Sequence, residues 1–262
     1  MAELIILKLG GSVITKKGEG KAEVNKEVLE RLAAEISEAR KEKEFPLMIV
    51  HGAGPFGHVP AKEYGLHEGL KDERQIEGFS ITHHSMEKLN FLVVEALRKA
   101  GLNAMEFQPS SIGILRNEEL VHFPTEALEG ILNIGLIPVA YGDVLVDEKK
   151  GISILSGDHL VPYLAKKLNA SRVIIVTDVA GIFDSNPKEN KDAKLIPEIN
   201  SGNIDSLNIG SSTSTDVTGG MQRKVRELMR LEIESEIISA LEPGLVKKAL
   251  LGERNLGTVI RK

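Results

Sequence analysis

The sequence predicts an α/β fold, a mostly parallel sheet with helices packed on both of its faces. Three observations carry that expectation. Short apolar β-like runs alternate with amphipathic stretches along the chain, which is the pattern of repeated βαβ units. The runs are nearly continuous in apolar residues, as strands covered on both faces are, rather than alternating apolar with polar. The third observation is length. With 262 residues the chain is one large domain or two small lobes at about 150 residues per domain. It can bury about 70% of its unfolded surface without a disulfide or metal staple.

In chain order, the strand candidates are Leu4–Leu9, Leu47–Val50, Ala104–Phe107, Ile137–Tyr141, Val173–Thr177, Glu236–Ser239 and a short one near Thr258–Ile260. Val28, Leu32, Ile36 and Ala39 recur at three- and four-residue spacing and predict a helix between the first two. Asp72 to Ala100 is the longest helical pattern. Its stripe of Ile76, Phe79, Met86, Val93 and Leu97 includes His83 and Asn90 where apolar residues would be expected. A surface hairpin is expected at Val146–Ile152, where Asp147-Glu148-Lys149-Lys150-Gly151 supplies turn chemistry. Leu160, Val161, Leu164 and Leu168 mark the next helix, and Val225, Leu228, Met229 and Leu231 mark a later one. Asn200–Thr218 is rich in Ser, Thr, Asn and Gly and reads as a long loop, a class of segment that often carries function.

Composition narrows the function. There are 33 Lys and Arg residues against 38 Asp and Glu, a formal net charge of −5, with no cysteine. Such a chain, lacking blocks of like charge, is expected to bind neither nucleic acid nor a membrane surface. No apolar run approaches the ~18 residues that span a bilayer. The start, Met1-Ala2-Glu3, lacks the basic region of a secretion signal. Without cysteine there is neither a disulfide framework nor thiol chemistry. The expectation is a soluble, cytoplasmic protein.

Four glycine-bearing turns carry the chemistry. Lys8-Leu9-Gly10-Gly11-Ser12 ends the first strand. Paired glycines there let backbone amides approach an anion beside a lysine, although a plain strand-to-helix turn would look the same. His51-Gly52-Ala53-Gly54-Pro55-Phe56-Gly57-His58 matches the G-x-G-x-x-G spacing. It follows the second strand rather than opening the first βαβ unit, and Pro55 constrains it, so a dinucleotide site is rejected. His51 reads as structural. His58 lies where a helix can begin and can donate to an anion, or can be a surface cap. Ser156-Gly157-Asp158 precedes a helix, so Ser156 or Asp158 can be its N-cap. Asp158 can also orient lysine ammonium groups. Thr218-Gly219-Gly220 opens a helix with Lys224 about one turn inside, an arrangement suited to phosphate. Together with Lys16 and Lys17, these turns suggest two phosphates held face to face, as phosphoryl transfer from a nucleotide requires.

In this order the motifs resemble the amino-acid-kinase superfamily, and most closely its isopentenyl phosphate kinase branch. The resemblance covers nearly the whole chain. It rests on Leu7 to Thr15, His51 to His58, Gln108-Pro109-Ser110, Tyr141-Gly142-Asp143, Ser156-Gly157-Asp158, Thr177 to Gly181, Asp216 to Met221 and Ala249 to Gly252. The Phe56-Gly57-His58 block separates this branch from acetylglutamate, carbamate and UMP kinases. The resemblance implies a three-layer αβα sandwich around a mostly parallel central sheet. An N-terminal lobe, about residues 1–170, would bind the phosphoacceptor, and a C-terminal lobe, about 171–262, the nucleotide. It further implies ATP and Mg²⁺, isopentenyl phosphate as the small-molecule substrate, a step in an alternative mevalonate route to isoprenoids, and a homodimer.

Residue by residue, the resemblance implies that Lys8 contacts the phosphates in flight and that Lys17 stabilises the transition state. The choice of Lys17 over Lys16 comes from counting from Ser12. Gly10, Gly11, Ser12 and Gly54 would line the nucleotide phosphates, with Gly220 and Lys224 at the β/γ-phosphates. Asp178, Gly181 and Phe183 would frame the nucleoside, although Ala180 stands where relatives often carry Asp. Ala53, His58 and Gly157 would hold the acceptor phosphate, and Asp158 would orient the lysines. No side chain is assigned as a metal ligand. The acceptor's tail needs an apolar pocket, expected near Ile76, Phe79, Ile81 and Met86, with Ile152 and Ile154 opposite. Each of these can equally be ordinary core. The rivals are a fosfomycin kinase, a non-catalytic nucleotide binder on the same fold and, in a different class, a nicotinamide-dependent oxidoreductase.

Overall fold

The computed structural model describes residues 3–16, 22–187, 189–205, 207 and 220–262, with 220–224 as backbone only. The chain opens with β1 (Ile5–Leu9), the short α1 (Gly11–Ile14), α2 (Lys26–Glu42), β2 (Leu47–His51) and α3 (Gly54–Glu63). The long α4 (Glu73–Lys99) leads to β3 (Ala104–Glu106), β4 (Ile114–Arg116), β5 (Glu119–His122), α5 (Glu126–Asn133) and β6 (Ile137–Tyr141). Then come the hairpin β7 (Asp143–Asp147) and β8 (Gly151–Leu155), α6 (Gly157–Lys167) and β9 (Arg172–Thr177). The chain finishes with β10 (Ile182–Phe183), β11 (Leu195–Ile196), β12 (Glu198–Ile199), α7 (Gly220–Met229), β13 (Ser235–Ser239), α8 (Leu245–Leu251) and β14 (Thr258–Ile260).

The fold is a three-layer αβα sandwich. Its central eight-stranded sheet has the order β12-β14-β13-β9-β1-β2-β6-β3. Every pairing from β13 to β3 is parallel, and β14 runs antiparallel to β13. All five residues of β1, β2, β6 and β13 are buried, the reason the first three read as nearly continuous apolar runs, whereas β13 buries Ser235, Glu236 and Ser239 as well. On one face, Leu7, Leu9, Ile49 and Val139 pack with Leu32 and Ile36 of α2, Met86 and Val93 of α4, and Val246 of α8. On the other, Ile6, Met48, Val50 and Ile175 pack with Leu160 and Leu164 of α6 and with Val225 and Leu228 of α7. A four-stranded sheet, β5-β4-β7-β8, adjoins this second face.

Local chemistry fixes the element ends. Asp72 and Gln75 form a capping box at the start of α4. Ser156 caps α6 by accepting from the His159 N–H. The β7–β8 hairpin closes at Asp147 and Gly151, as its turn residues predict. The expected stripe of α4 holds only in part. Met86, Val93 and Leu97 are buried, as is Asn90, whereas Ile76 is 57% exposed, and Ile81, expected with Ile76 in the tail pocket, is 40% exposed. The first turns of α4 pack edge-on against α3, where a Cβ on Gly78 would lie 2.3 Å from Tyr64, and this turns Ile76 and Ile81 outward. Helix α7 ends at Met229, so Leu231 follows it. Of the expected loop Asn200–Thr218, residues 206 and 208–218 lie outside the described residues. Among the described residues, no helix is long and apolar enough to cross a membrane.

Candidate active site

Strand order creates the site. The chain lays β2, β6 and β3 on one side of β1 and β9 and β13 on the other, so a switch in winding direction falls beside β1. Ligands of open α/β sheets collect at the carboxyl ends of strands at such a switch. The register puts Leu9 opposite both His51 and Val176, so β1, β2 and β9 end level and their following turns meet.

The first two glycine turns pack backbone on backbone. A Cβ on Gly11 would sit 2.3 Å from the Gly54 nitrogen, and one on Gly52 would sit 2.6 Å from the Gly11 nitrogen. Gly54 has φ +51°, and a Cβ there would lie 2.2 Å from the Thr15 hydroxyl. Only glycine allows this approach. Among the described residues, the N–H groups of Gly11, Ser12, Ala53, Gly54 and Gly157 find no backbone carbonyl partner. All five lie at an N-cap or in the first turn of a helix, where N–H groups have no intrahelical acceptor, and together they form a cradle suited to an anion.

Charge is placed beside that cradle. Lys8 projects from β1 to the face opposite Leu7 and Leu9 and is only 7% exposed. Its ammonium donates to Asp158 in the first turn of α6. A Cβ on Gly157 would lie 3.4 Å from Lys8 Cε, so the start of α6 abuts the lysine stem. Leu228 of α7 lines the same small cavity as Lys8 and Asp158. The Ser12 hydroxyl donates to Asp178 at 3.0 Å, tying the first turn to the end of β9.

The structure thus brings together Lys8, Gly10, Gly11, Ser12, Ala53, Gly54, Gly157, Asp158 and Asp178. His58 is exposed on α3, one turn beyond the cradle. Gly57, beside it, packs on α4, since a Cβ there would lie 3.0 Å from Met86 Sδ. Met86 is buried in the main core. Phe79 packs against a separate apolar group of Ala61, Leu66, Val144 and Ile152, with Ile154 alongside. Gly181 and Phe183 lie farther along the chain at β10, with Gly181 against Thr258. Gly220 and Lys224 are on α7, of which the first five residues are described as backbone only, and Lys17 lies outside the described residues altogether.

Sequence reasoning misses one polar network. His51 is fully buried, its ring stacked on Tyr141 at 5.5 Å and in contact with Asn90 of α4. Burial pushes its pKa down to about 4. Next to it, His83 meets Asp143 at 2.9 Å, and Gln108 reaches both His83 and Glu87. The hydrogen bond to Asp143 raises the His83 pKa, and burial raises that of Tyr141. The signal is there as polar His83 and Asn90 inside an apolar stripe. Their partners lie on other strands and only the fold brings them close.

A buried cation oriented by a carboxylate, a cradle of amide donors and an imidazole on the adjoining helix together suit phosphates. The chain is similar to known proteins along its length. The amino acid kinase family profile matches residues 3–239. The isopentenyl phosphate kinase of Methanothermobacter thermautotrophicus is 41% identical over 267 residues, covering 98% of each chain. An X-ray structure of isopentenyl phosphate kinase superposes with a TM-score of 0.85 at 37% identity, covering 98% of this chain and 100% of the other. An isopentenyl phosphate kinase substrate complex gives a TM-score of 0.81 at 27% identity, covering 99% and 100% respectively.

Proposed function

This chain belongs to the amino acid kinase family, and we propose that it transfers the γ-phosphoryl group of ATP to isopentenyl phosphate. The products are ADP and isopentenyl diphosphate. The observation that carries the reading is the meeting of the two glycine turns beside buried Lys8 and its partner Asp158, in a chain similar over nearly its whole length to isopentenyl phosphate kinases.

The chemistry follows from charge. A phosphate monoester near neutral pH is its own nucleophile, so the site needs no strong base. One of its oxygens attacks the γ-phosphorus while the bond to the ADP oxygen breaks in line, and catalysis is positioning plus charge stabilisation. The N–H groups of Gly11, Ser12 and Gly54, with Gly10 ending the strand, fit the nucleotide's phosphates. Ala53, Gly157 and His58 fit the acceptor phosphate. Lys8 lies between the two sets, and Asp158 fixes its ammonium so that it does not reorganise as charge moves. Lys17, Gly220 and Lys224 complete the positive frame by motif. Asp178, Gly181 and Phe183 are assigned to the nucleoside. Phe79 is assigned to the hydrocarbon tail, with Met86 supporting the floor beneath Gly57. Mg²⁺ bound with the nucleotide would neutralise charge on its phosphates, and among the described residues no group of carboxylates and histidines is placed to hold the ion without it.

The acceptor side draws on residues up to about 170, and the nucleotide side on those after it together with the glycine turns after β1 and β2. A cytoplasmic homodimer completes the reading. Phe91, 59% exposed on α4, is an apolar residue that a second copy would cover, and sedimentation at twice the chain mass is the expected result. The reaction itself is tested by comparing kcat/KM for isopentenyl phosphate, fosfomycin and glutamate as acceptors with Mg-ATP. Isopentenyl phosphate is expected to lead clearly, and a preference for fosfomycin would replace the proposed acceptor.

A further inference from the structure

We propose that His51 is a positioning residue for this reaction: as a neutral imidazole protonated on Nδ1, it holds the Gly52 carbonyl inward and so turns the Ala53 amide toward the acceptor phosphate. The inference rests on the reading of Ala53 as part of the acceptor-phosphate site.

The hydrogen-bond geometry selects the tautomer. His51 Nδ1 lies 3.0 Å from the Gly52 carbonyl oxygen. That oxygen can only accept, so Nδ1 must carry a proton. Nε2 lies 3.1 Å from Asn90 Oδ1, in an amide whose oxygen and nitrogen positions are assigned from the hydrogen-bond network. A ring protonated at both nitrogens would be a cation with 0% exposure, with Tyr141 stacked on its face and an uncharged amide as its other partner. Burying a charge without a counter-ion is costly, so the ring is neutral and Nε2 accepts. Asn90, itself 2% exposed, then has its amide turned over from the placement that sets Oδ1 against Nε2, so that its NH₂ donates to the ring, as the network requires. This explains why a polar residue interrupts the apolar stripe of α4. An apolar side chain at position 90 would leave Nε2 buried without a donor.

The consequence falls on the peptide between Gly52 and Ala53. In a trans peptide the carbonyl and the following N–H point in opposite directions. With the Gly52 oxygen tied to the ring, the Ala53 N–H faces away from the core. It has no backbone carbonyl partner among the described residues, and Ala53 is the N-cap of α3 without a side-chain cap. Gly52 has no side chain of its own with which to fix that plane, since a Cβ there would collide with the Gly11 nitrogen. The ring supplies the constraint. Gly142 donates to the His51 carbonyl at 3.2 Å, so the same residue also anchors the β6 end against β2.

Two measurements test this. Long-range ¹⁵N–¹H correlation spectra of the wild-type protein read the tautomer, with the His51 signals assigned by their loss in His51→Asn. A protonated Nδ1 and a bare Nε2 are expected at pH 6 and 7; a proton on Nε2, in either the neutral or the doubly protonated ring, overturns the proposal. Kinetics supply the second arm. His51→Asn keeps an amide N–H near the Nδ1 position, whereas His51→Gln places it nearer Nε2. The Gln variant is expected to raise the acceptor KM about tenfold and the ATP KM less than about twofold, the scale of one lost hydrogen bond. The Asn variant is expected to recover most of that loss. Equal acceptor KM values in the Gln variant and wild type overturn the proposal, and if the Gln variant does not fold the spectrum alone decides. The kinetics are read on whichever acceptor the wild type phosphorylates. Failure of wild type to use isopentenyl phosphate therefore counts against the proposed reaction and leaves the role of His51 to be decided by the spectrum and the variants.

Discussion

Lys8 is the residue on which charge and position coincide: buried, on the central strand, and fixed by Asp158. Lys8→Met is expected to lower kcat by ~10²-fold or more with the fold retained, the usual loss for one preorganised donor. His58→Ala should lower turnover strongly while leaving ATP affinity nearly unchanged, which titration calorimetry beside steady-state kinetics would check. Unaltered turnover would remove His58 from the mechanism. The pair at positions 16 and 17 separates in the same way. Lys16 Nζ is 2.6 Å from Glu23, with more than half of its side chain exposed, so Lys16→Met is expected to change kcat little. Lys17→Met should cost ~10²-fold, and the reverse ranking would show that the count from Ser12 is off by one. At this scale much of the site is legible in the sequence. Lys8, the glycines and Asp158 stand in turns that announce themselves, because close backbone approach demands glycine. His51 reads only as structural, because its partners, Asn90 and Tyr141, are 39 or more positions away.

Elements are legible where burial is uniform and obscure where it is shared. The core strands show as apolar runs, and α4 shows as a long periodic pattern. Helix α3 hides behind Pro55 and Pro60, both inside its span. Helix α8 has no local N-terminal signal, because its first free N–H groups are accepted by Glu35 of α2, with Val246 N–H at 3.0 Å. Strands β10, β11 and β12 have only two residues each, too few for a period. The β7–β8 hairpin is predicted by its turn, but the reason for its stability is not visible there. Buried Asp147 accepts the N–H groups of Asn117, Glu118, Lys149 and Lys150 at 2.8–3.0 Å, stapling it to the β4–β5 turn. Burial pushes its carboxyl up, and the four bonds outweigh that and hold it well below the usual carboxylate range. Its contribution is therefore complete above the unfolded pKa of about 4 and is lost as pH falls toward the folded value. Asp147→Asn is expected to cost about 2 kcal/mol at pH 7, and the gap should narrow in urea melts below about pH 4. His83 carries the opposite sign. Its pKa is raised by Asp143, so its contribution is present below about 6.5 and is lost as pH rises through the folded value. His83→Gln should flatten that limb of the stability profile.

At the scale of the whole molecule, alternation of apolar and amphipathic segments is enough to predict a parallel sheet with two helical layers. It does not give the strand order. That order places β9 beside β1, joins both halves of the chain in one sheet, and so brings the turns after β1, β2 and β9 into one cradle. No local pattern encodes this, because it depends on which helices cover which face. The central claim is that this cradle passes a phosphoryl group from ATP to a phosphate. The most direct measurement is ³¹P NMR of the purified protein with Mg-ATP and isopentenyl phosphate, with the product identified by mass. The monophosphate resonance is expected to give way to the two coupled resonances of a diphosphate as ADP accumulates, and Lys8→Met is expected to suppress the change. ADP appearing with inorganic phosphate while isopentenyl phosphate stays intact would contradict the claim.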